Sequence, residues 1–230
     1  MDDFFRESLY AGVVLSLVTY GLGLVLKRRL KLGVFNPLLV SIALTIAVLA
    51  SCGVSYEAYA SGARYLSWLL TPATVCLAIP LYEKREALVR NARAILLALT
   101  AGAVTSCLTV LALAALLRLD HRLYVTLLPK SITTAIGMGV SEEAGGIVTL
   151  TVAAIIITGI LGNMIAELVF RLFHIDHPIA RGLALGTSAH AVGTAKALEL
   201  GEIEGAMGSI SICVAGILTV VLVPLVMNVA

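Results

Sequence analysis

The stretch Leu127-Leu128-Pro129-Lys130-Ser131-Ile132-Thr133-Thr134-Ala135 sets a helix breaker, a cation and three hydroxyls within six residues of a chain that is otherwise mostly hydrocarbon. At membrane depth such polar groups are costly, and they persist where they are buried in protein or line a water-filled cavity. Proline lacks an N–H, which is free anyway at the first position of a helix, so a helix broken here is expected to restart at Pro129. The restarted end would present backbone N–H groups and a partial positive charge beside Lys130, with Ser131, Thr133 and Thr134 as further donors, an arrangement that suits a carboxylate. The plainer alternative is a kinked helix whose hydroxyls satisfy its own backbone while Lys130 snorkels to the interface.

The surrounding composition makes membrane depth the right frame. Of 230 residues, 60% are hydrophobic and 13% charged, with mean hydropathy +1.02; a soluble domain averages roughly 25% charged. The expected fold is an all-α polytopic membrane protein, one integral membrane domain over 1–230. Net charge is only +2, so the sum says little about partners; no nucleic-acid partner is expected. Cys52, Cys76, Cys107 and Cys213 fall singly in or beside apolar runs and read as small buried hydrophobes rather than a disulfide or metal framework. The N-terminus lacks the basic region and cleavage pattern of a signal peptide, so the first apolar run is expected to stay as a span.

A spanning helix needs about 20 apolar residues. Five runs qualify, at 8–26, 34–52, 94–117, 147–169 and 206–227, the second opening on Asn36-Pro37. Lys27, Arg28, Arg29 and Lys31 follow the first run, which by the positive-inside rule makes that loop cytoplasmic and sets the N-terminus outside. Residues 53–64 read as an interfacial loop. Three further segments are broken or re-entrant: 65–82, expected to break at Pro72, then 123–140 and 182–200. Whether the last two cross or turn back is left open, because the later loops carry too few cations for the charge rule to decide.

The segment 182–200 holds a second polar cluster, Ser188, His190, Gly193, Thr194 and Lys196. His190 and Thr194 are four apart and would share one helix face, while Gly193 admits the close approach of another backbone. A histidine here would donate to an anion or carry a proton, or simply bridge two packed helices. Glu142 and Glu143 beside Gly145-Gly146, and Asn163 with Glu167, are candidates for coupling a proton or Na+. Surface carboxylates are the commoner case for such pairs. The run His174-Ile175-Asp176-His177 matches no reliable metal spacing, and no cofactor is implied. No phosphate-loop, zinc-protease or nucleophile-elbow motif is present, and Ser188 with His190, two apart, would point to different helix faces; an enzyme is not expected.

Transporter folds commonly arise by duplication. Aligning Pro72 on Pro129 gives three identities and two conservative matches in eight positions, with Ala73 and Cys76 answering to Lys130 and Thr133. On this reading the second copy carries the site and the first is scaffold.

The motifs Pro129-Lys-Ser-Ile-Thr-Thr134, Glu143-Ala-Gly-Gly-Ile147, Ala180-Arg-Gly-Leu-Ala184 with Gly186, and Ser188-Ala-His-Ala-Val-Gly-Thr-Ala195 resemble the LrgB/CidB family, as do Pro72-Ala-Thr-Val75 and Leu77-Ala-Ile-Pro-Leu81. The resemblance covers nearly the whole chain. It implies a multi-pass protein of the bacterial cytoplasmic (inner) membrane. Two roles have been described for the family: a holin/antiholin-like regulator of murein hydrolase export and lysis acting with a small LrgA/CidA-like membrane partner, and a carrier of small monocarboxylates such as glycolate, glycerate or pyruvate. The cluster at Lys130 favours the carrier. Glu142-Glu143 departs from the single acidic residue expected there, which leaves the role of either open. The resulting expectation is a gradient-driven, elevator-like carrier of a small organic anion. Its broken helices would form a mobile core, and its uninterrupted spans a scaffold and homodimer interface. Substrate contacts are expected from Lys130, Ser131, Thr133, Thr134, Ser188, His190, Gly193 and Thr194.

Overall fold

The computed structural model describes residues 2–8, 10–30, 36–76 and 78–229, and every regular element among them is helical. Lys31 of the basic run and Val34 at the expected start of the second span lie outside the described residues. The chain divides into two compact units, 1–76 and 77–230.

The first unit contains α1 (Asp2–Glu7), α2 (Ala11–Leu30), α3 (Pro37–Cys52), α4 (Tyr56–Trp68) and α5 (Leu70–Cys76). α3 begins where Asn36 Oδ1 accepts from the amides of Leu38 and Leu39, with Pro37 in the first turn, so its missing N–H costs nothing. α2 and α3 share a buried hydroxyl cluster in which Thr19 Oγ1 lies 3.0 Å from both Ser41 Oγ and Thr45 Oγ1. Arg6 Nε, 2.6 Å from Asp2 Oδ2, together with the Ser55 amide and hydroxyl on Oδ1, holds the Asp2 carboxyl well below the usual carboxylate range. Two expectations are corrected here. Residues 56–64 are helix rather than loop, because Ser55 caps α4 and Gly62 and Gly12 let α4 lie against α2. The interruption falls at Leu69, not Pro72, which sits third in α5 where the first-turn N–H groups are orphans anyway.

The second unit contains α6 (Ala78–Glu83), α7 (Arg85–Arg90), α8 (Ala92–Leu117), α9 (His121–Leu127), α10 (Thr134–Glu143), α11 (Val148–Leu172), α12 (Pro178–Leu200) and α13 (Glu202–Val226). By length and apolarity α2, α8, α11 and α13 can cross a membrane, and α3 is a shorter apolar helix. The protein is a multi-pass membrane protein. Cys107 is buried, but Cys52, Cys76 and Cys213 are exposed, contrary to the buried reading.

Neither 123–140 nor 182–200 crosses. α9 and α10 have 7 and 10 residues, about 10 and 15 Å of helix against a core of about 30 Å. They run antiparallel: Gly137 of α10 lies against the Pro129 carbonyl, and Ser141 beside Thr126. Asp120 caps α9, and Gly145, at φ 76°, closes α10 with Gly146 N donating to Ser141 O and Gly145 N to Glu142 O. α12 is likewise a hairpin. Ala189 (φ −126°, ψ 17°) and His190 (φ 42°, ψ −130°) leave helical geometry. The arms 178–188 and 191–200 then fold together, so that Gly193 abuts the Leu185 carbonyl and any Cβ there would collide with it. Both arms lie on α13, Gly182 and Gly186 facing Glu204–Ser211, and Thr194 and Leu198 facing Gly208 and Gly205.

The two hairpins enter from opposite ends. α8, α12 and α13 start, and α11 finishes, at the end marked by the Lys84–Glu202 ion pair; the first hairpin opens at the other end, beside Asp120. Each hairpin is followed by a long helix, so residues 121–172 and 178–226 form an inverted pair. In this arrangement the element that answers to the Pro129 hairpin is the one turning at His190, rather than the segment around Pro72.

A hydroxyl clamp fixes the first hairpin to α11. Thr151 Oγ1 lies 2.9 Å from the Thr126 carbonyl and 2.6 Å from Ser141 Oγ, while Thr126 Oγ1 accepts from Ile147 N at 2.8 Å; all three side chains are fully buried. Thr151→Val keeps the shape and strands Ser141. It is expected to cost about 1–3 kcal/mol, read as a lowered thermal midpoint of the detergent-solubilised protein.

Candidate functional site

Pro129 ends α9 rather than starting α10. Having no N–H, it cannot continue the ladder to Val125. Leu128–Lys130 complete a turn in which Lys130 N donates to Leu127 O, and helix resumes only at Thr134, after extended Thr133 (φ −63°, ψ 146°). Residues 128–133 therefore form the non-helical tip of the first hairpin. Backbone of this kind is tolerated at membrane depth when covered by protein, and Ser131 and Ile132 are 8% and 2% exposed.

Lys130 Nζ lies 3.0 Å from Ser131 Oγ and 3.5 Å from Ser106 Oγ on α8, and the two serine oxygens are 3.1 Å apart. Ser106 is near the middle of α8. No described carboxylate lies within ion-pair distance of Lys130, whereas the other two half-buried lysines of this unit are paired, Lys84 with Glu202 at 2.6 Å and Lys196 with Glu167 at 2.7 Å and Glu199 at 3.4 Å. The tip thus concentrates an ammonium group and two hydroxyls at mid-depth. Of the hydroxyl residues expected here, Ser131 joins Lys130, while Thr133 and Thr134 are half-buried on the start of α10.

The tip of the second hairpin reaches the same level. On α8, Thr187 packs against Gly102, one turn from Ser106, or about 6 Å along the axis. On α11, the Ile155 carbonyl accepts from His190 Nε2 at 2.9 Å, while its side chain meets Gly137 of the first hairpin. Both tips thus converge at mid-helix on α8 and α11.

Within the second hairpin the expected shared face of His190 and Thr194 is not formed. His190 sits at the turn against Ile155 and Gly159, whereas Thr194 is buried against Gly208 of α13. The Thr194 hydroxyl has no hydrogen-bond partner among the described residues, because the residue four before it, His190, has left the helix and with it the usual acceptor position. Ser188 Oγ donates to its own turn at Ala184 O, so Ser188 and His190 are engaged separately and do not pair as nucleophile and base. Gly193 has the close-approach role expected of it, with the opposite arm of the hairpin as the approaching backbone.

The coupling candidates lie apart from the tips. Glu142 and Glu143 are exposed at the Asp120 end, about 12 Å along α10 from its start. Asn163 Nδ2 donates to Val192 O, and Glu167 faces Lys196 with Arg171 at 3.7 Å; both tie α11 to the second hairpin. Asp176 accepts from Arg181 at 2.9 Å. Sequence reading missed Ser106, Thr187 and the Ile155 carbonyl. A serine in an apolar helix ordinarily bonds its own preceding turn, and a main-chain carbonyl carries no residue signature, so neither stands out before the fold is known.

Ser106→Cys with Ser131→Cys, in a chain otherwise free of cysteine, is expected to form a disulfide on mild oxidation, since the two Oγ atoms are already 3.1 Å apart. Loss of both maleimide-reactive thiols reports it; retention of both would exclude the hairpin tip from the middle of α8.

The LrgB-like family model matches residues 16–229. Proteins called antiholin-like protein LrgB from Bacillus cereus (strain B4264) and Bacillus anthracis (strain A0248) are each 39% identical over 219 residues, covering 95% of this chain and 95% of theirs. No solved structure matches. With a family match over nearly its whole length and relatives of this identity, the chain belongs to the LrgB-like family.

Proposed function

We propose that this protein is a gradient-driven secondary carrier of small monocarboxylates of the glycolate, glycerate or pyruvate type. One observation carries the reading: Lys130, at mid-depth and flanked by Ser106 and Ser131, has hydroxyl partners but no carboxylate counter-ion among the described residues. An uncompensated ammonium in that setting is costly, and a bound carboxylate would offset it through a charge-assisted hydrogen bond. Ser131 and Ser106 would hold the carboxylate, and Thr133, Thr134 and the tip bearing Thr187, Ser188, His190, Gly193 and Thr194 would close over it. Two hairpins entering from opposite ends offer alternate routes to one site, as alternating access requires. Binding and movement suffice, with no chemical step.

The remaining assignments follow the same reading. In the second unit Lys84, Arg85, Arg90, Arg93, Arg171 and Arg181 gather at the Lys84 end, against Arg118 and Arg122 at the other. The positive-inside rule then makes the Lys84 end cytoplasmic in a bacterial inner membrane. A proton or Na+ would supply the driving force. The chain would work as one membrane domain and as a homodimer, beside a small LrgA/CidA-like partner.

The names of the relatives favour a second reading, an antiholin-like regulator of lysis. On it the polar tips line a pore or a partner contact and select no solute. Uptake of labelled pyruvate, glycolate and glycerate into proteoliposomes of the pure protein, under an imposed pH or Na+ gradient, separates the two. The carrier gives saturable, partner-independent uptake. Lys130→Ala is expected to lower it about 10- to 100-fold, the equivalent of one charge-assisted hydrogen bond. Equal leakage of unrelated dyes and solutes would support the pore.

A further inference from the structure

One surface of the second unit has no part in the hairpin site. A groove of about 320 Å³ runs between α8 and α13, walled by Leu88, Ile95, Leu99, Ile210 and Val214. It follows α8 for about 10 Å from Ala92 to Leu99, towards the middle of a helix long and apolar enough to cross a membrane. A more polar recess bounded by residues 89–94 adjoins it, sharing Val89 and Ala92, and the side chains of Arg90 and Arg93 that line this recess are exposed.

These two arginines differ from the cations around them. Lys84 is paired with Glu202, Arg171 with Glu167, Arg181 with Asp176 and Lys196 with Glu167 and Glu199. Arg85 lies over the Tyr82 ring, 4.7 Å from its centroid, and donates to the Tyr82 carbonyl. Among the described residues no carboxylate, Glu83 and Glu86 included, comes within ion-pair distance of Arg90 or Arg93. The surface thus combines an apolar cleft directed into the hydrocarbon with a pair of uncompensated cations in the adjoining recess.

We propose that this groove binds one anionic phospholipid, an acyl chain between α8 and α13 and the phosphate between Arg90 and Arg93. Charge complementarity selects the occupant. A zwitterionic lipid would fill the groove and leave two positive charges in excess, while a second copy of this face would bring two more. Basic pockets on the cation-rich side of a membrane protein recognise anionic head groups for this reason.

Delipidated protein in neutral detergent is titrated with phosphatidylglycerol, with phosphatidylcholine and with glycerol 3-phosphate, and its thermal midpoint followed. Phosphatidylglycerol is expected to raise the midpoint by several degrees more than phosphatidylcholine, and glycerol 3-phosphate to leave it unmoved. Arg90→Gln with Arg93→Gln is expected to abolish the difference between the lipids. Lys84→Gln, which removes a cation of the same end already held by Glu202, is expected to keep it. Val214→Trp, filling the groove and leaving both arginines, is expected to weaken binding of either lipid as read by native mass spectrometry. Equal shifts from the two lipids, a preference that survives loss of both arginines, or a shift produced by glycerol 3-phosphate alone would each overturn the proposal.

Discussion

The second unit depends on one constraint, the need to satisfy backbone N–H and C=O groups in a medium without water. Two helices are broken near mid-depth, at 128–133 and at 189–190, and both breaks survive because neighbouring helices cover them. Ser131, Ile132, Ala189 and His190 are each under 10% exposed. The covering is made of close contacts: Gly102 on Thr187, Gly137 on Ile155, Gly159 on His190 and Gly162 on Ala189. A larger residue at any of these positions would push away the element that shields the break. The glycines of α8, α10 and α11 are therefore part of what allows irregular backbone to exist at this depth.

From that constraint follows the chemistry the centre can offer. A helix that ends at mid-depth brings polar side chains with it, and in the first hairpin these are Lys130 and Ser131, met by Ser106 from α8. The second hairpin brings His190, whose positive φ marks a backbone of the kind that costs about 1–3 kcal/mol to hold. Its Nε2 is occupied by the Ile155 carbonyl, so its evident work is to pin the turn to α11. The asymmetry is informative. The first tip carries charge that seeks a partner, while in the second His190 is held by the Ile155 carbonyl and, among the described residues, the buried Thr194 hydroxyl has no partner.

Membership of the LrgB-like family and the architecture bear differently on function. The relatives carry an antiholin-like name, which describes an effect on cells rather than a molecular act. On the carrier reading proposed above, the inverted pair of hairpins meeting at a polar centre would hold a small anion and expose it to either end in turn. The two readings separate cleanly in a purified system.

Composition and hydropathy settled a good deal before any geometry. They identified an all-helical membrane protein, and the runs at 94–117, 147–169 and 206–227 correspond to α8, α11 and α13. The polar segments around Pro129 and His190 were recognisable as the places where something other than spanning occurs, because hydroxyls and a lysine are conspicuous against hydrocarbon. Three things needed tertiary structure. Proline chemistry allows a helix both to end at Pro129 and to start there, and only the packing of 128–133 against α8 chose ending. His190 and Thr194 look like one helix face until the chain is seen to reverse between Ala189 and Ala191, a reversal made possible by Gly193 meeting the Leu185 carbonyl eight residues earlier in the chain. Ser106 was invisible for the same reason: local sequence reports the medium a side chain sits in, whereas which groups face each other depends on contacts between residues far apart in the chain.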